Sequence, residues 1–329
     1  MHKPTPFTRR QWLQAAAGGT LSLLSLRALA YPERPVRLVV PFAPGAGTDA
    51  MGRLLAQKLG EVMGASFVVE NRAGASGAIG SQQVAQSAAD GHTLLLVAAP
   101  FTTVPAVLPS AGYDPIDQFA PISMVAQGPL VWACHKDLPV RNLAELAAYA
   151  RSRPGQLNYG SAGAGGINHL VLEQFNAHAG VSIVHVPYRG VAPAAVDAMA
   201  GQIQVLTGTV PALAPLIRDE RLKALAVTTP QRSAALPQVP GLAEQGLQAL
   251  TALNYFGLVA PRGTPEAVLQ RLQQALPAVL AQADVQARFK ADALEAAPLG
   301  AAALAQFLRR DLAAWKKVVE QQGIRVDQL

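Results

Sequence analysis

The chain has a single cysteine, Cys134, among 329 residues, which excludes an internal disulfide. The residues before it, 130–133, are apolar and typical of a strand, so we expect a buried, inert thiol. Aromatic residues make up 5% and charged residues 15% of this alanine-rich chain, a composition typical of globular proteins. Beyond residue 30, no apolar run is long enough to span a bilayer.

The chain also has little net charge once its N-terminal segment is set apart. Four of the positive charges behind the formal value of +6 are Lys3, Arg9, Arg10 and Arg27, and no acidic residue precedes Glu33. The remaining charge of about +2 is too small to predict a nucleic-acid partner.

The first 30 residues follow the pattern of an export signal. Residues 8–13 (Thr-Arg-Arg-Gln-Trp-Leu) fit a twin-arginine signal, residues 15–26 are mildly apolar, and residues 28–30 form an Ala-x-Ala cleavage site. The apolar part is too short to span a membrane. We therefore predict a twin-arginine signal peptide over residues 1–30, export to a bacterial periplasm, and cleavage after Ala30.

Residues 38–49 contain the motif around which the chain is organised. An apolar run ending at Val40 predicts a buried parallel strand, and the prolines that follow end it because they cannot donate to a ladder. Gly45 and Gly47 permit positive φ and a close approach of ligand to backbone. Thr48 or Asp49 is expected to cap the next helix, whose free N–H groups suit an anion. A βα turn that binds nothing is an equally open interpretation of this stretch by itself.

Strands and helices alternate along the rest of the chain, which predicts an α/β fold with parallel strands. A second glycine-rich turn, residues 71–77, separates the second strand from the second helix. Another α/β block follows residue 129 and contains a third glycine-rich turn at residues 161–166. The prolines from Pro100 to Pro115 predict an irregular stretch.

The end of the chain is predicted to return to the first block. A late strand over residues 255–260 is followed by two helices, 265–282 and 301–321, without strand partners of their own. The chain then crosses between two α/β domains near residues 123–130 and 250–256, and clefts between domains bind small ligands. The predicted lobes are 31–128 with 255–329 (lobe one) and 129–254 (lobe two).

Eight short segments occur in an order that is specific as a set, although each is weak alone. They include Val-Pro-Phe-Ala-Pro-Gly at 40–45, Val-Glu-Asn-Arg-Ala-Gly-Ala-Ser-Gly at 69–77 and His-Val-Pro-Tyr-Arg-Gly at 185–190. The others are residues 90–94, 157–161, 169–170, 225–228 and 257–261. The set covers nearly all of the chain after residue 30 and resembles the extracytoplasmic solute receptors of tripartite tricarboxylate transporters, the Bug family.

This resemblance implies a two-lobed periplasmic binding protein of the type II fold that is not an enzyme. The two lobes would close on a small organic carboxylate, for uptake by a membrane transporter or for sensing. We expect a monomer without cofactor or metal. Backbone amides, hydroxyls and waters of two loops would hold the ligand, without a dedicated arginine. The expected ligand-binding residues are Phe42, Ala43, Gly45, Ala46, Gly47, Thr48, Asp49, Ala99, Ser161, Gly163, Gly165, Gly166, His169, Tyr188, Gly190 and Thr209.

Two departures from the family pattern bear on the ligand. The family usually has adjacent glycines in the first loop, where this chain has Ala46 between Gly45 and Gly47, and its methyl group would narrow the approach of a carboxylate. After the third strand, residues 97–105 are mostly apolar where the family has small polar residues, and Phe101 is expected near the mouth of the site. We therefore predict a ligand with an apolar part.

An exported dinucleotide-dependent oxidoreductase is the main alternative. Residues 45–50 fit G-x-G-x-x-[GA], and Glu70 ends the next strand at about the spacing of the dinucleotide fingerprint. However, Pro-Phe-Ala-Pro separates the strand from the first glycine, which the fingerprint places at the strand end. A hydrolase with Ser161 as nucleophile is a third interpretation, but Tyr159 stands where a nucleophile elbow needs glycine.

Other conspicuous side chains have structural interpretations. His169 and His178 are too far apart on one helix to share a metal, and His169 is expected to brace the loop before it. Asp49 is interpreted as a helix cap and Asn71 as a turn-stabilising residue. Tyr188 is expected to line the cleft or to belong to the core, with both interpretations open.

Overall fold

The computed structural model describes residues 31–45 and 47–324; the predicted signal peptide, with its cleavage site after Ala30, and Ala46 lie outside the described residues. The strands are β1 (Val36–Val40), β2 (Phe67–Asn71), β3 (Thr93–Ala98), β4 (Phe119–Gly128), β5 (Leu130–His135), β6 (Asn158–Ser161), β7 (Val184–Pro187), β8 (Val205–Thr209), β9 (Leu222–Val227), β10 (Asn254–Pro261) and β11 (Glu295–Ala296). The helices are α1 (Gly47–Met63), α2 (Ala78–Ala85), α3 (Pro100–Val107), α4 (Leu143–Arg151), α5 (Ile167–Ala179), α6 (Val191–Met199), α7 (Val210–Arg218), α8 (Glu266–Leu280), α9 (Ala283–Ala291) and α10 (Ala301–Gln322).

The strands form two mixed sheets. The six-stranded sheet has the order β11-β4-β10-β3-β1-β2, and the five-stranded sheet has the order β7-β6-β8-β5-β9. β1 pairs in parallel with β2 and β3, as the β-α-β-α-β pattern predicts. The late strand β10 lies between β3 and β4, antiparallel to both, so the chain does return to the first sheet. We call the part built on the six-stranded sheet lobe one and the part built on the five-stranded sheet lobe two. The residue limits given above for each lobe remain a prediction.

The chain passes between the two sheets at two adjacent points. The first crossing is Gly128–Pro129, between β4 and β5, and the second is residues 251–253, just before β10. Thr228, which is fully buried, joins them: its hydroxyl accepts from the Leu130 N–H and donates to the Ala252 carbonyl, each at 2.8 Å. The two crossings therefore form one hydrogen-bonded hinge.

A continuous apolar core runs through this hinge. One buried cluster joins Val39 of β1 to Trp132 of β5 and Phe175 of α5, and it includes Leu304 and Leu308 of α10. The prediction that the last helices pack back on the first domain is therefore incomplete: α10 contacts α3 and β4 of lobe one, and it also contacts α5 of lobe two.

Residues 100–107 form α3, so the prediction of an irregular stretch is wrong there. Pro100 occupies the first turn, where its missing N–H costs no hydrogen bond. Pro105 leaves the Phe101 carbonyl without its helical donor, and the Tyr113 hydroxyl donates to that carbonyl instead, at 3.0 Å. A tertiary contact thus compensates for the proline inside the helix.

Two further features concern membrane spans and the thiol. Within residues 31–45 and 47–324, no helix combines the length and the hydrophobicity that a membrane span needs. Cys134 is fully buried on β5, as predicted, and its burial raises the pKa of the thiol to about 11. The thiol is therefore protonated and unreactive at neutral pH.

Candidate functional site

A carboxylate inside the fold holds the lobe-one loop, residues 41–49. Gly45 adopts the predicted positive φ of 82°, whereas Gly47 simply begins α1. The Asp49 carboxylate is only 4% exposed and turns back toward the loop, where it accepts from the Gly45 N–H at 2.9 Å. It also accepts from Asn71 at 2.8 Å and Arg53 at 3.0 Å. Asp49 therefore fixes the loop from within the first turn of α1, rather than capping the helix as predicted, because the backbone N–H that it accepts belongs to Gly45, before the helix.

The lobe-one network is charged but internally neutralised. The Arg53 guanidinium and the Gly45 N–H lower the pKa of Asp49 to about 2, so this carboxylate is ionised at neutral pH. Asn71 also donates to the Phe42 carbonyl at 3.1 Å. Arg72 is engaged by Glu70 at 2.5 Å. Both arginines next to this loop thus already have a carboxylate partner.

Neutral groups hold the lobe-two loop, residues 161–166. The Ser161 hydroxyl lies 2.6 Å from Nε2 of His185 and accepts from the Gly163 N–H at 3.2 Å. The Gly165 N–H donates to Nδ1 of His169 at 3.1 Å, so the prediction that His169 braces the loop is confirmed. His185 is the residue that sequence reasoning missed.

The two histidines behind the lobe-two loop are stacked; His169 is buried and His185 is partly buried. The rings of His169 and His185 lie 4.0 Å apart, and the ring of Tyr159 lies 4.9 Å from His185. Burial lowers the pKa of His169 to about 4, and burial together with His169 lowers the pKa of His185 to about 3. Both imidazoles are therefore neutral at pH 7. Since Nδ1 of His169 accepts a hydrogen bond, its proton is on Nε2.

The glycine-rich turns of the two lobes meet. The Ser76 hydroxyl, in the turn before α2, donates to the Ala164 carbonyl of lobe two at 3.4 Å. A side chain on Gly163, whose φ is 138°, would stand 3.6 Å from the Ser76 hydroxyl oxygen. Ala75 and Ser76 both have positive φ, 47° and 51°, which is uncommon for residues other than glycine and indicates strain of a kind often found at binding sites.

A small cavity of about 10 Å³ lies at the lobe-one side of this contact, with room for about one water. Phe42, Ser76, Ala98 and Phe101 line it. Phe101 is only 4% exposed and its ring stacks on Tyr113 at 5.5 Å. The expectation that Phe101 stands at the mouth is therefore wrong, because α3 turns the ring into the core. The half-buried Phe42 is the more accessible ring.

The remaining predicted site residues fall into two groups. Those at helix starts next to the loops are Thr48 in α1, Gly166 before α5, Gly190 before α6 and Thr209 before α7. Their neighbouring N–H groups are the ones that helices leave without partners. Ala43 is exposed beside Phe42.

Two predicted residues are engaged within the protein. Ala99 is buried, and its carbonyl accepts from the N–H and the hydroxyl of Thr102. The Tyr188 hydroxyl donates to Asp197 at 2.7 Å, while its N–H donates to the Ser161 carbonyl at 3.1 Å. Tyr188 thus supports the lobe-two loop through its hydrogen bond to Ser161. Ala46 lies outside the described residues.

The arrangement does not favour the enzymatic alternatives. His185 is within reach of Ser161, but its low pKa makes it a weak base, and Glu173 accepts from the Tyr159 hydroxyl at 2.6 Å. For a dinucleotide, β1 ends at Val40, five residues before Gly45. The fingerprint needs its first glycine where the strand ends.

Comparison with known proteins agrees with the fold. Residues 51–324 match the family described as tripartite tricarboxylate transporter family receptor. BugT of Bordetella pertussis is 35% identical over 298 residues, covering 90% of this chain and 91% of BugT.

Solved structures give the same picture. An R. palustris protein solved with adipate is 35% identical, with a TM-score of 0.81 over 90% of this chain and 99% of that one. The periplasmic binding protein BugD is 34% identical, with a TM-score of 0.79 over 90% and 99%. MatC of Rhodopseudomonas palustris, with bound malate, is 30% identical, with a TM-score of 0.78 over 88% and 100%. This chain therefore belongs to the tripartite tricarboxylate transporter receptor family, whose members are binding proteins.

Proposed function

We propose that this chain captures a small organic carboxylate between its two lobes and delivers it to a tripartite tricarboxylate-type membrane transporter. One observation carries the proposal: two glycine-rich turns from opposite lobes touch at Ser76 and Ala164, directly before the starts of α2 and α5. The family relationship supports it, as do the adipate and the malate held by the two R. palustris relatives.

The chemistry at the two loops suits recognition by backbone amides. Arg53 and Arg72 are neutralised by Asp49 and Glu70, so neither is a free counterion for a ligand. A helix N-terminus contributes about 0.3–1 kcal/mol to binding an anion, and about 2 kcal/mol when partly buried. Micromolar affinity needs about 8 kcal/mol, so several such contacts must act together with lobe closure. A dicarboxylate, with one carboxylate for each lobe, meets this requirement best.

The surface beside the contact between the two lobes favours a ligand with an apolar part. Pro41, Phe42 and Ala98 line the small cavity there and offer methylene and ring surface, beside the hydroxyls of Ser76 and Ser81. Citrate, which carries polar groups along its whole length, would leave some of them without partners there. We therefore propose an acid with an aliphatic or aromatic body, held through its carboxylates.

A thermal-shift panel tests both parts of the proposal. Purified protein is heated with adipate, malate, benzoate, a branched-chain acid and citrate, and native mass spectrometry looks for a co-purified acid. We expect an acid with an apolar body to raise Tm most. A panel in which no carboxylate raises Tm, with no co-purified acid, contradicts the receptor function. A larger shift with citrate than with every other acid contradicts the apolar part alone.

The export route and the finer partner assignments belong to the same proposal. We propose twin-arginine export to the periplasm with cleavage after Ala30, and a monomeric receptor made of the two lobes delimited above. Replacing Arg9 and Arg10 by Lys should hold the protein in the cytoplasm, and N-terminal sequencing of exported protein should begin at Tyr31. A mature chain that begins elsewhere would contradict the cleavage site.

A further inference from the structure

A groove of about 1,080 Å³ lies beside the hinge, apart from the ligand loops. Residues 287–295, in and after α9, form its lobe-one wall, and residues 229–235, after β9, form its lobe-two wall. Its floor contains both crossings, Gly128–Pro129 and residues 251–253. Its volume is slightly above the range of about 300–1,000 Å³ that is usual for small-molecule sites.

Strand order places the groove and the ligand cleft on opposite sides of the hinge. In lobe one the ligand loops follow β1, β2 and β3, the crossings belong to β10 and β4, and the groove lies at the β11 edge. In lobe two the ligand loops follow β7, β6 and β8, and the groove residues follow the edge strand β9. A rotation about the crossings that narrows the cleft therefore widens the groove.

The groove wall is also attached directly to the hinge. A Cβ on Gly128 would come within 2.4 Å of the Ala293 carbonyl, so the first crossing is pressed against the segment that follows α9. Ala293 has a φ of 55° and is buried, which fixes it between α9 and β11. Any molecule that displaces α9 must therefore move the crossing as well.

The side chains around the groove suit an organic anion. Arg218 and Lys290 are exposed on opposite walls, and no carboxylate of the described residues lies within 4 Å of either. Arg232 is already paired with Glu244, and Glu295 contributes one negative charge. The apolar surface between these charges comes from Pro129, Leu253, Ala287, Ala291 and Leu294.

We propose that this groove is a second binding site, for an organic anion with an apolar body, and that its occupancy is linked to closure of the ligand cleft. A bound molecule holds the groove wide and so favours the closed cleft. Linkage then requires the two ligands to raise each other's affinity. The link to carboxylate binding rests on the proposed function, whereas binding in the groove does not.

Titration with 8-anilinonaphthalene-1-sulfonate, an amphipathic anion that fluoresces in apolar surroundings, tests the site. We expect saturable one-to-one binding to the wild-type chain and at least tenfold weaker binding to Arg218→Ala/Lys290→Ala. The matched control, Arg309→Ala/Lys317→Ala, removes one arginine and one lysine from exposed positions of α10 and should bind like wild type. Decanoate should displace the dye at concentrations where acetate does not. Equal binding by all three proteins, or equal loss in both variants, overturns the site.

Small-angle scattering with the dye alone tests the linkage without any carboxylate. We expect the radius of gyration to fall when the dye saturates wild type and to stay constant in Arg218→Ala/Lys290→Ala. In a second arm, saturating adipate should tighten dye binding at least threefold. An unchanged radius of gyration overturns the linkage. A radius that falls with dye, combined with no response to any acid of the thermal-shift panel, contradicts the proposed function and leaves the groove site standing.

Discussion

The two ligand loops are both held in position by hydrogen bonds, but by opposite kinds of side chain. In lobe one, the ionised carboxylate of Asp49 collects three donors, from Gly45, Asn71 and Arg53. In lobe two, the loop is held by a hydroxyl and two neutral imidazoles, those of His185 and His169. One loop therefore depends on a charge and the other depends on the absence of charge.

This difference determines the pH range in which each ligand loop keeps its hydrogen bonds. A charged brace survives acid until its own carboxylate is protonated, whereas a neutral imidazole brace fails as soon as the imidazole gains a proton. Both networks hold a loop in place before the ligand binds, which reduces the conformational entropy lost on binding. The two loops should then respond differently to substitution and to pH.

Asp49→Ala should have the largest effect. It leaves the Gly45 N–H, Asn71 and Arg53 without their common acceptor, and it removes the fixed entry into α1. We expect affinity for the carboxylate to fall about 100-fold and the free energy of unfolding to fall by about 2–3 kcal/mol. Calorimetric titration and denaturant unfolding measure the two quantities. In the control Asp284→Ala, which removes an exposed carboxylate but leaves Lys58 paired with Glu61, the stability loss should stay below about 1 kcal/mol.

Acid should weaken lobe two before lobe one. Unfolded histidine titrates near pH 6.5, while burial lowers the pKa of folded His169 to about 4 and that of His185 to about 3. The unfolded state therefore binds more protons below pH 6.5, and stability falls as pH decreases from 6.5 to 4. The contribution of Asp49, with a folded pKa of about 2, is lost only as pH falls below about 4.

Denaturant unfolding at pH 6.5 and pH 4.5 measures this difference. Compared with His169→Asn/His185→Gln, wild type should lose on the order of 4 kcal/mol more over that interval, about 2 kcal/mol for each histidine, since one pKa unit corresponds to about 1.4 kcal/mol. The comparison with the variant cancels other groups, including Asp311, whose pKa burial raises to about 6 and whose contribution has the opposite sign. Parallel losses in both proteins would show that the histidines do not carry the effect.

Ser161→Ala should have a moderate effect confined to lobe two. It removes the hydroxyl that accepts from the Gly163 N–H and leaves Nε2 of the partly buried His185 without its partner. We expect affinity to fall about tenfold, corresponding to about 1.4 kcal/mol, with a similar loss of stability. Ser152→Ala, which removes an exposed hydroxyl bonded to the Tyr149 carbonyl, is the matched control and should bind normally. Affinity unchanged by Ser161→Ala would remove this hydroxyl from the site.

Thr209→Val should have the smallest effect. Thr209 precedes α7, but its side chain makes no capping hydrogen bond there. If the site uses only the backbone at this helix start, affinity should change less than threefold in calorimetric titration. A loss of tenfold or more would instead show that the hydroxyl contacts the ligand directly and would make the two lobes more alike.

Local sequence patterns were sufficient to predict most helices and strands, with α3 as an exception, and part of the site. Asn142 is a residue type that favours the position before a helix, and its side chain accepts from the Glu145 N–H at 2.8 Å at the start of α4. Gly45 was predicted to have positive φ, and His169 was predicted to brace the loop only four residues before it. Each of these inferences needs only a few neighbouring residues, because turn and capping chemistry is local.

Residues brought together by tertiary structure were not predicted. His185 is 24 residues from Ser161, and it reaches the hydroxyl only because β6 and β7 pair in parallel with Tyr159 opposite His185. The alternation of strands and helices contained that signal, since the loops after parallel strands meet at one edge. Phe101 was misplaced for a similar reason: nothing local reveals that α3 turns the ring toward Tyr113.

The position of α10 limits how far the two lobes can separate. Because this helix contacts both lobes and joins a core that passes through the hinge, wide opening would expose apolar side chains to water. Without ligand, the two lobes should therefore be only slightly separated rather than widely open. Heating should also melt the two lobes together, as one calorimetric transition, since neither lobe keeps a complete core after the other unfolds.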